Sequence, residues 1–346
     1  MSFLLLLASS AGMASGFAGS AVAIVRPRAV RRYVPNSAGS LRQSSSEQTE
    51  AVPTDVAGDG DTSDAIAELM KRHDPILLFA SNLLPRDAAR DASALYAWCR
   101  RLDEITDDPA APPEAVADRL AEWERRFEDL LAGRPADGMD AELMRCLDRN
   151  RDLSEAPFRD MIRGMRADAV PRGATRTVAN MDELELYSYQ VAGTVGLMLL
   201  PLLSAPAESR TPAIALGKAI QMVNILRDAR PDAALNRVYL PQDMLKEAGI
   251  SSEDVLRLDP SGGYRDVVRR VSARAEGLLR EAEVGGATLP GLGPFFVQII
   301  VELYREYLTK LRNASYDNLS ASMGDRVSIT LLQKVRAALR ALLIVR

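Results

Sequence analysis

LYAWCRRLDEITDD, residues 95–108, governs how the rest of the chain is read. Leu95, Tyr96, Trp98 and Leu102 recur at helical spacing, and on such a helix Asp103 and Asp107 project from one face about one turn apart. Like charges so placed repel each other, so the pair is unremarkable only where solvent screens it, as on an ordinary acidic surface turn. Two features argue for use instead. The pair follows a strongly apolar run, and it lies beside Arg100 and Arg101, cations that can grip an anion next to a carboxylate-bound metal.

A second acidic segment, QMVNILRDARPDAALNRVYLPQD, spans residues 221–243. Gln221, Asn224, Arg227 and Asp228 form a polar stripe on an otherwise apolar helix, and buried polar groups must be paired or used. Asp232 again follows four residues after Asp228, but Pro231 between them cannot continue a helix and restricts Arg230, which places Asp232 on an exit loop. Two acidic pairs on separate helices, each with arginine neighbours, suit a cavity that holds Mg²⁺ or Mn²⁺ between carboxylates and a diphosphate. A diphosphate leaves an allylic carbon only if its growing charge is neutralised, and the rest of such a cavity must be apolar to keep water from the carbocation.

Around these segments the chain is a globular protein of 346 residues, 47% hydrophobic and 26% charged. Apolar periodicity at three and four recurs over 64–82, 86–107, 113–132, 138–150, 154–168, 180–204, 208–229, 264–285, 292–316 and 327–345, with no competing strand pattern, so the expected fold is all-α. Cys99 and Cys146 read as small buried hydrophobes. With the lone His73 they give no zinc-type spacing, so any metal must be held by carboxylates.

The net charge is −4, but residues 1–46 hold five arginines and no acid, so the remainder carries −9. No basic excess calls for nucleic acid. Phe3 to Val25 is uncharged and reads as a secretory-type apolar region, and the Arg- and Ser-rich stretch after it reads as a transit segment. Residues 1–42 are therefore expected to be a two-part targeting leader, 43–63 a disordered linker, and 64–346 one all-α domain. A single presequence or an uncleaved anchor is the alternative for the leader. Ala14-Ser15-Gly16-Phe17-Ala18 resembles the junction of plastid presequences in algae with secondary plastids, which implies plastid targeting.

From Leu84 to Arg346 the chain resembles the phytoene synthase and squalene synthase family. The resemblance is carried by LYAWCRRLDEITDD (95–108), PFRDMIRGMRADAV (157–170), LYSYQVAGTVGLM (186–198) and VNILRDARPDAALNRVYLPQDML (223–245). It implies the isoprenoid synthase fold, helices around a central apolar cavity, with Mg²⁺ or Mn²⁺ on Asp103, Asp107, Asp228 and Asp232. It implies two molecules of geranylgeranyl diphosphate joined head to head through prephytoene diphosphate to 15-cis-phytoene, the first committed step of carotenoid biosynthesis. Diphosphate contacts are implied at Arg100, Arg227 and Arg237, and a polar stripe at Gln221 and Asn224. Tyr187 and Tyr316 match cavity tyrosines that steady a cation or guide diphosphate, with core packing as the alternative. Val191, Ala192 and Gly196 match small residues beside the prenyl chain, with close helix packing as the alternative for Gly193 and Gly196, and Arg166 and Asp168 match supporting residues.

The chain departs from the family pattern at DPILLFASNLLP (74–85), which lacks the usual hydroxyl-before-aromatic segment, and in its second motif, where one acid is lost. The rival activities are a squalene or hydroxysqualene-type synthase using farnesyl diphosphate and a non-catalytic assembly or binding protein of the same fold. Lipid substrates and products, with no spanning segment in the body, imply peripheral contact with a membrane.

Overall fold

A computed structural model describes residues 59–73, 86–106, 112–171 and 173–344. The leader, the first part of the linker, the 74–85 segment and Asp107 lie outside the described residues. The chain runs through α1 (Asp59–His73), α2 (Arg86–Thr106), α3 (Pro113–Leu131), α4 (Gly138–Arg149) and α5 (Ala156–Arg166) to a short strand, β1 (Arg176–Val178). It continues with α6 (Met181–Ser188), a π-helical turn (Tyr189–Gly193), α7 (Thr194–Leu202), α8 (Arg210–Arg227) and α9 (Ala229–Ala234). Then follow β2 (Arg237–Pro241), α10 (Gln242–Glu247), α11 (Ser252–Leu256), α12 (Tyr264–Gly286), α13 (Gly293–Asn313) and α14 (Leu331–Ile344).

The expectation of an all-α body holds, with three differences. First, α1 starts at Asp59, inside the segment read as linker, a helix start that the polar composition hid. Second, β1 and β2 pair in parallel, Arg176 opposite Arg237 and Thr177 opposite Val238. Strands this short leave no periodicity to read. Third, Asp232 lies in α9 rather than on a loop. The helix stops at Asp228, with φ −102°, and restarts at Ala229, so Pro231 falls in a new first turn where its missing N–H has no intrahelical acceptor to lose.

α8 is the central element. Ala219, Ile220, Met222, Val223 and Leu226 are fully buried, as in a helix surrounded by others, and it packs along most of α12. It also presses on the π-helical turn: a Cβ on Gly217 would come within 2.5 Å of the Gly193 Cα, so only glycine permits the approach. On the other side, α2 is held to α3 and α5 by an aromatic cluster. Trp98 stands edge-on to Phe158 at 4.9 Å between centroids, and Phe158 stacks on Phe127 at 5.1 Å.

Candidate active site

α2 carries Asp103 buried near its C-terminal end. The Trp98 cluster one turn earlier fixes the helix from behind. Cys99, one turn before Asp103, has its thiol pushed well up by burial, with the Asp103 charge adding to the effect, so it behaves as the inert buried hydrophobe expected. Arg100 is buried, and its Nε bonds Glu104 at 3.1 Å. Arg101 does not face an anion site. It bonds Asp137 at 2.8 Å and Asp140 at 3.1 Å and lies 4.9 Å over the Trp123 ring, which makes it a strut between α2 and the start of α4.

The second acidic segment is assembled at the α8–α9 break. Gln221, Asn224 and Asp228 follow one another along one side of α8. Asn224 is buried, accepts from the Tyr304 hydroxyl at 3.3 Å, and leaves its Nδ2 without a partner. Asp228 is gripped twice, by Arg227 through paired bonds of 2.9 and 2.7 Å and by Arg326 at 2.7 Å. Arg326 was not anticipated from sequence. It is about a hundred residues away in a polar loop that a backbone bond from Val327 N–H to the Arg227 carbonyl, 3.1 Å, ties to the end of α8. Tyr316 stands at the root of that loop, half-buried and in the left-handed region with φ +59°, a costly conformation for an aromatic residue and one often found at functional positions.

Asp232 is half-buried in α9. Burial, the neighbouring Asp228 charge and, more distantly, Asp168 push its carboxyl up to about 7, against the opposing pull of Arg237. A cleft lined by Asp232, Arg237, Tyr239, Tyr264 and Asn318 adjoins it. Among the described residues no group of three or more His, Cys, Asp or Glu is gathered into a metal cluster. The Asp228–Asp232 pair offers hard oxygen donors of the kind a divalent cation takes.

The β1–β2 pair connects this cleft to a group that sequence reading identified only in part. Asp168 accepts from the Tyr187 hydroxyl at 2.7 Å and from the Tyr239 hydroxyl at 3.0 Å. The two phenol rings stack at 5.2 Å and 16°, and the Arg176 guanidinium lies 5.4 and 5.9 Å from them while bonding Asp168 at 3.2 Å. Burial and the Asp168 charge raise the Tyr187 hydroxyl, which stays protonated. Tyr239 arrives on β2, a strand too short to read from the sequence, where it shares the face of Arg237. Arg176 likewise had no legible signal.

The small-residue block lies at the π-helical turn. Val191 and Ala192 are buried within it, and a Cβ on Gly196 in α7 would meet the Ala213 carbonyl oxygen at 2.9 Å. Gly196 thus touches α8 backbone, the close helix packing weighed as its alternative. π-helical turns recur at functional sites because they re-aim a helix face.

The helical bundle, with a buried acid on one helix and an acid-and-arginine break on another, has the isoprenoid synthase fold of the solved structures it resembles. The squalene/phytoene synthase family model matches residues 70–333, and the chain belongs to that family. Maize "Phytoene synthase 1, chloroplastic" is 38% identical over 267 residues, covering 74% of this chain and 63% of the maize protein. The Arabidopsis thaliana "Phytoene synthase 1, chloroplastic" is 36% identical over 81% of this chain and 68% of its own length. The chain spans a little under two thirds of the maize relatives it matches, 63% and 65%. Among solved structures, a dehydrosqualene synthase in complex with ligand superposes with TM-score 0.70 at 27% identity, over 83% of this chain and 97% of that one. A squalene synthase from Alicyclobacillus acidocaldarius shares the fold at TM-score 0.66 and 23% identity, over 75% and 95%.

Proposed function

We propose that the chain is a prenyltransferase that joins two geranylgeranyl diphosphates head to head, through prephytoene diphosphate, to 15-cis-phytoene, in a plastid. The observation that carries this reading is the Asp228–Asp232 break ringed by Arg227, Arg237 and Arg326, in a chain that resembles phytoene synthases over most of its length. Asp103, Asp107, Asp228 and Asp232 would hold Mg²⁺ or Mn²⁺, which when bound neutralises the departing diphosphate.

The chain's own residues do the rest. Arg227 and Arg326, paired with Asp228, are placed to exchange that carboxylate for diphosphate oxygens, and a guanidinium suits the bidentate contact. Arg100 and Arg237 complete the diphosphate contacts. Gln221 and the unpartnered Nδ2 of Asn224 supply neutral polar contacts on the same face. Tyr187, fixed by Asp168 and stacked on Tyr239, guides the diphosphate end by holding Asp168 and Arg176 in place, and Tyr316 lies beside the loop that carries Arg326. Val191 and Ala192 belong to the apolar wall that excludes water from the carbocation, while Gly196 lets α7 lie close on α8 behind it.

Contact with a membrane is peripheral in this reading, since both substrate and product are lipids and no described helix is long and apolar enough to cross a bilayer. The test is incubation of the chain with geranylgeranyl diphosphate and Mg²⁺, without nicotinamide. Phytoene is expected. No hydrocarbon, or product from farnesyl diphosphate alone, would overturn the assignment.

A further inference from the structure

The C-terminal helix α14 has its large apolar residues on the outside. Ala337, Ala338 and Ala341 face the protein and are buried, while Leu331, Leu332, Leu339, Leu342 and Leu343 are between 48% and 77% exposed. A surface helix normally buries leucine and exposes polar residues. Here the inner face is small enough to lie close on α13, and the outer face is an unpartnered leucine stripe. Half of the large hydrophobic side chains exposed among the described residues belong to this one helix, and clustering of that kind marks an interaction surface.

Charge indicates what covers it. α14 contains Lys334, Arg336 and Arg340 and no acid. Residues 310–346 hold seven Lys and Arg against two Asp, in a chain whose net charge is −4. Arg336 and Arg340 bond inward to Glu306, which anchors the helix to α13, yet their side chains remain 58% and 40% exposed. Arg336 shares the leucine side, four residues after Leu332 and three before Leu339, whereas Lys334 lies at the start of the helix on the side of the alanines. A second copy docking through the same face would set these cations against their equivalents, because a two-fold interface is self-complementary. An anionic bilayer surface accepts both features at once: leucines enter the headgroup and acyl boundary, and the flanking cations meet lipid phosphates.

We propose that α14 is an in-plane docking helix for an anionic lipid membrane, with Leu332, Leu339 and Leu343 inserted and Arg336, on the same side of the helix, at the headgroups. The proposal gives a location to the peripheral contact suggested above but stands on the helix alone. An assay without substrate therefore separates its failure from failure of the catalytic assignment.

The full chain carrying Leu343→Cys is labelled with an environment-sensitive dye. Cys99 and Cys146 are buried and stay unlabelled. Because the dye sits on α14, binding by any other segment does not mimic the signal. A blue shift is expected with vesicles of phosphatidylcholine and phosphatidylglycerol, smaller with phosphatidylcholine alone, and reduced by salt or by Arg336→Gln. Leu332→Glu with Leu339→Glu should weaken partitioning on the order of ten-fold or more with an unchanged circular dichroism spectrum, since neither leucine is buried. No shift with anionic vesicles would overturn the proposal. So would a shift that grows with protein concentration in the absence of lipid, which would make the stripe a contact between copies. An equal shift with neutral vesicles that is indifferent to Arg336→Gln would remove the anionic specificity and overturn the proposal as stated.

Discussion

Asp103 lies three residues from the end of an unbroken 21-residue helix, whereas Asp228 lies where one helix stops and another begins. The surroundings differ in the same sense. Around Asp103 the neighbouring cation Arg101 is engaged with scaffold carboxylates, and the aromatic cluster of Trp98, Phe127 and Phe158 sets the helix position from behind. Around Asp228 two guanidiniums point at the carboxylate itself, a third, Arg237, lies beside Asp232, and one of the three is delivered by a remote loop. A stiff helix fixes a carboxylate well but leaves little that can rearrange. A helix break with converging arginines provides charge that can be redistributed when an anion arrives. The first segment is therefore read as a fixed metal ledge and the second as the place where diphosphate charge is met.

The largest effect tests both ends at once. Asp103→Asn and Asp228→Asn should each reduce product formation from geranylgeranyl diphosphate by at least about a thousand-fold, with helical content retained. Asp228→Asn should also lower stability by about 1–3 kcal/mol, because the largely buried Arg227 loses its charged partner. Undiminished turnover in either variant would remove that carboxylate from the mechanism. Next in size is the group that buttresses the second segment. Asp168→Asn keeps the volume but loosens two phenols and Arg176, and should cost on the order of a hundred-fold in kcat with little change in KM, through misplacement of Tyr187. Tyr239→Phe removes one of the three bonds and should fall between wild type and Asp168→Asn; equal activity in all three proteins would show the group to be packing alone.

The contrast between the two segments also explains what the sequence disclosed. The Asp103 region is local, one helix with its period, its acids and its apolar back, so spacing was enough to place it. The assembly at Asp228 is not local. Arg326 comes from a loop of no regular pattern, and Arg176 arrives through a three-residue strand that pairs across about sixty residues. Pro231 misled for a definite reason: a proline argues against continuing a helix but is well suited to the first turn of a new one. Gly196 shows the opposite case, where the small-residue block was visible but its contact, the α8 backbone rather than open cavity, depended on tertiary approach.

Gly217 sharpens the same point about α8, whose C-terminal end carries Asp228. Its missing Cβ allows the backbones of α8 and the π-helical turn to touch, and the obstruction to any side chain would be backbone at 2.5–2.6 Å, which has no rotamer to move away. Gly217→Ala should therefore sit at the upper end of overpacking costs, about 3 kcal/mol, read as a lowered melting temperature. A melting temperature equal to wild type would mean that the two backbones lie farther apart than described.

The smallest effect concerns the scaffold that keeps α2 rigid. Burial alone would raise the Glu142 carboxyl, but hydrogen bonds and charge from Arg90 and Arg145 outweigh it and hold the group at about 2. A carboxyl depressed in the folded state stabilises the fold at pH values above its ordinary value near 4.5, and that contribution fades as pH falls toward 2. Wild type should therefore lose stability between about pH 4.5 and 2 more steeply than Glu142→Gln, which has no proton to take up there. At neutral pH the variant should be less stable by about 1–2 kcal/mol. Because Arg90 belongs to α2 and Glu142 to α4, the variant loosens the Asp103 helix without touching the Asp228 break. Activity should then fall with acid faster in wild type than stability of the second segment alone would require; superimposable acid profiles for the two proteins would show that the rigidity of α2 comes from the Trp98 cluster and not from its ion pairs.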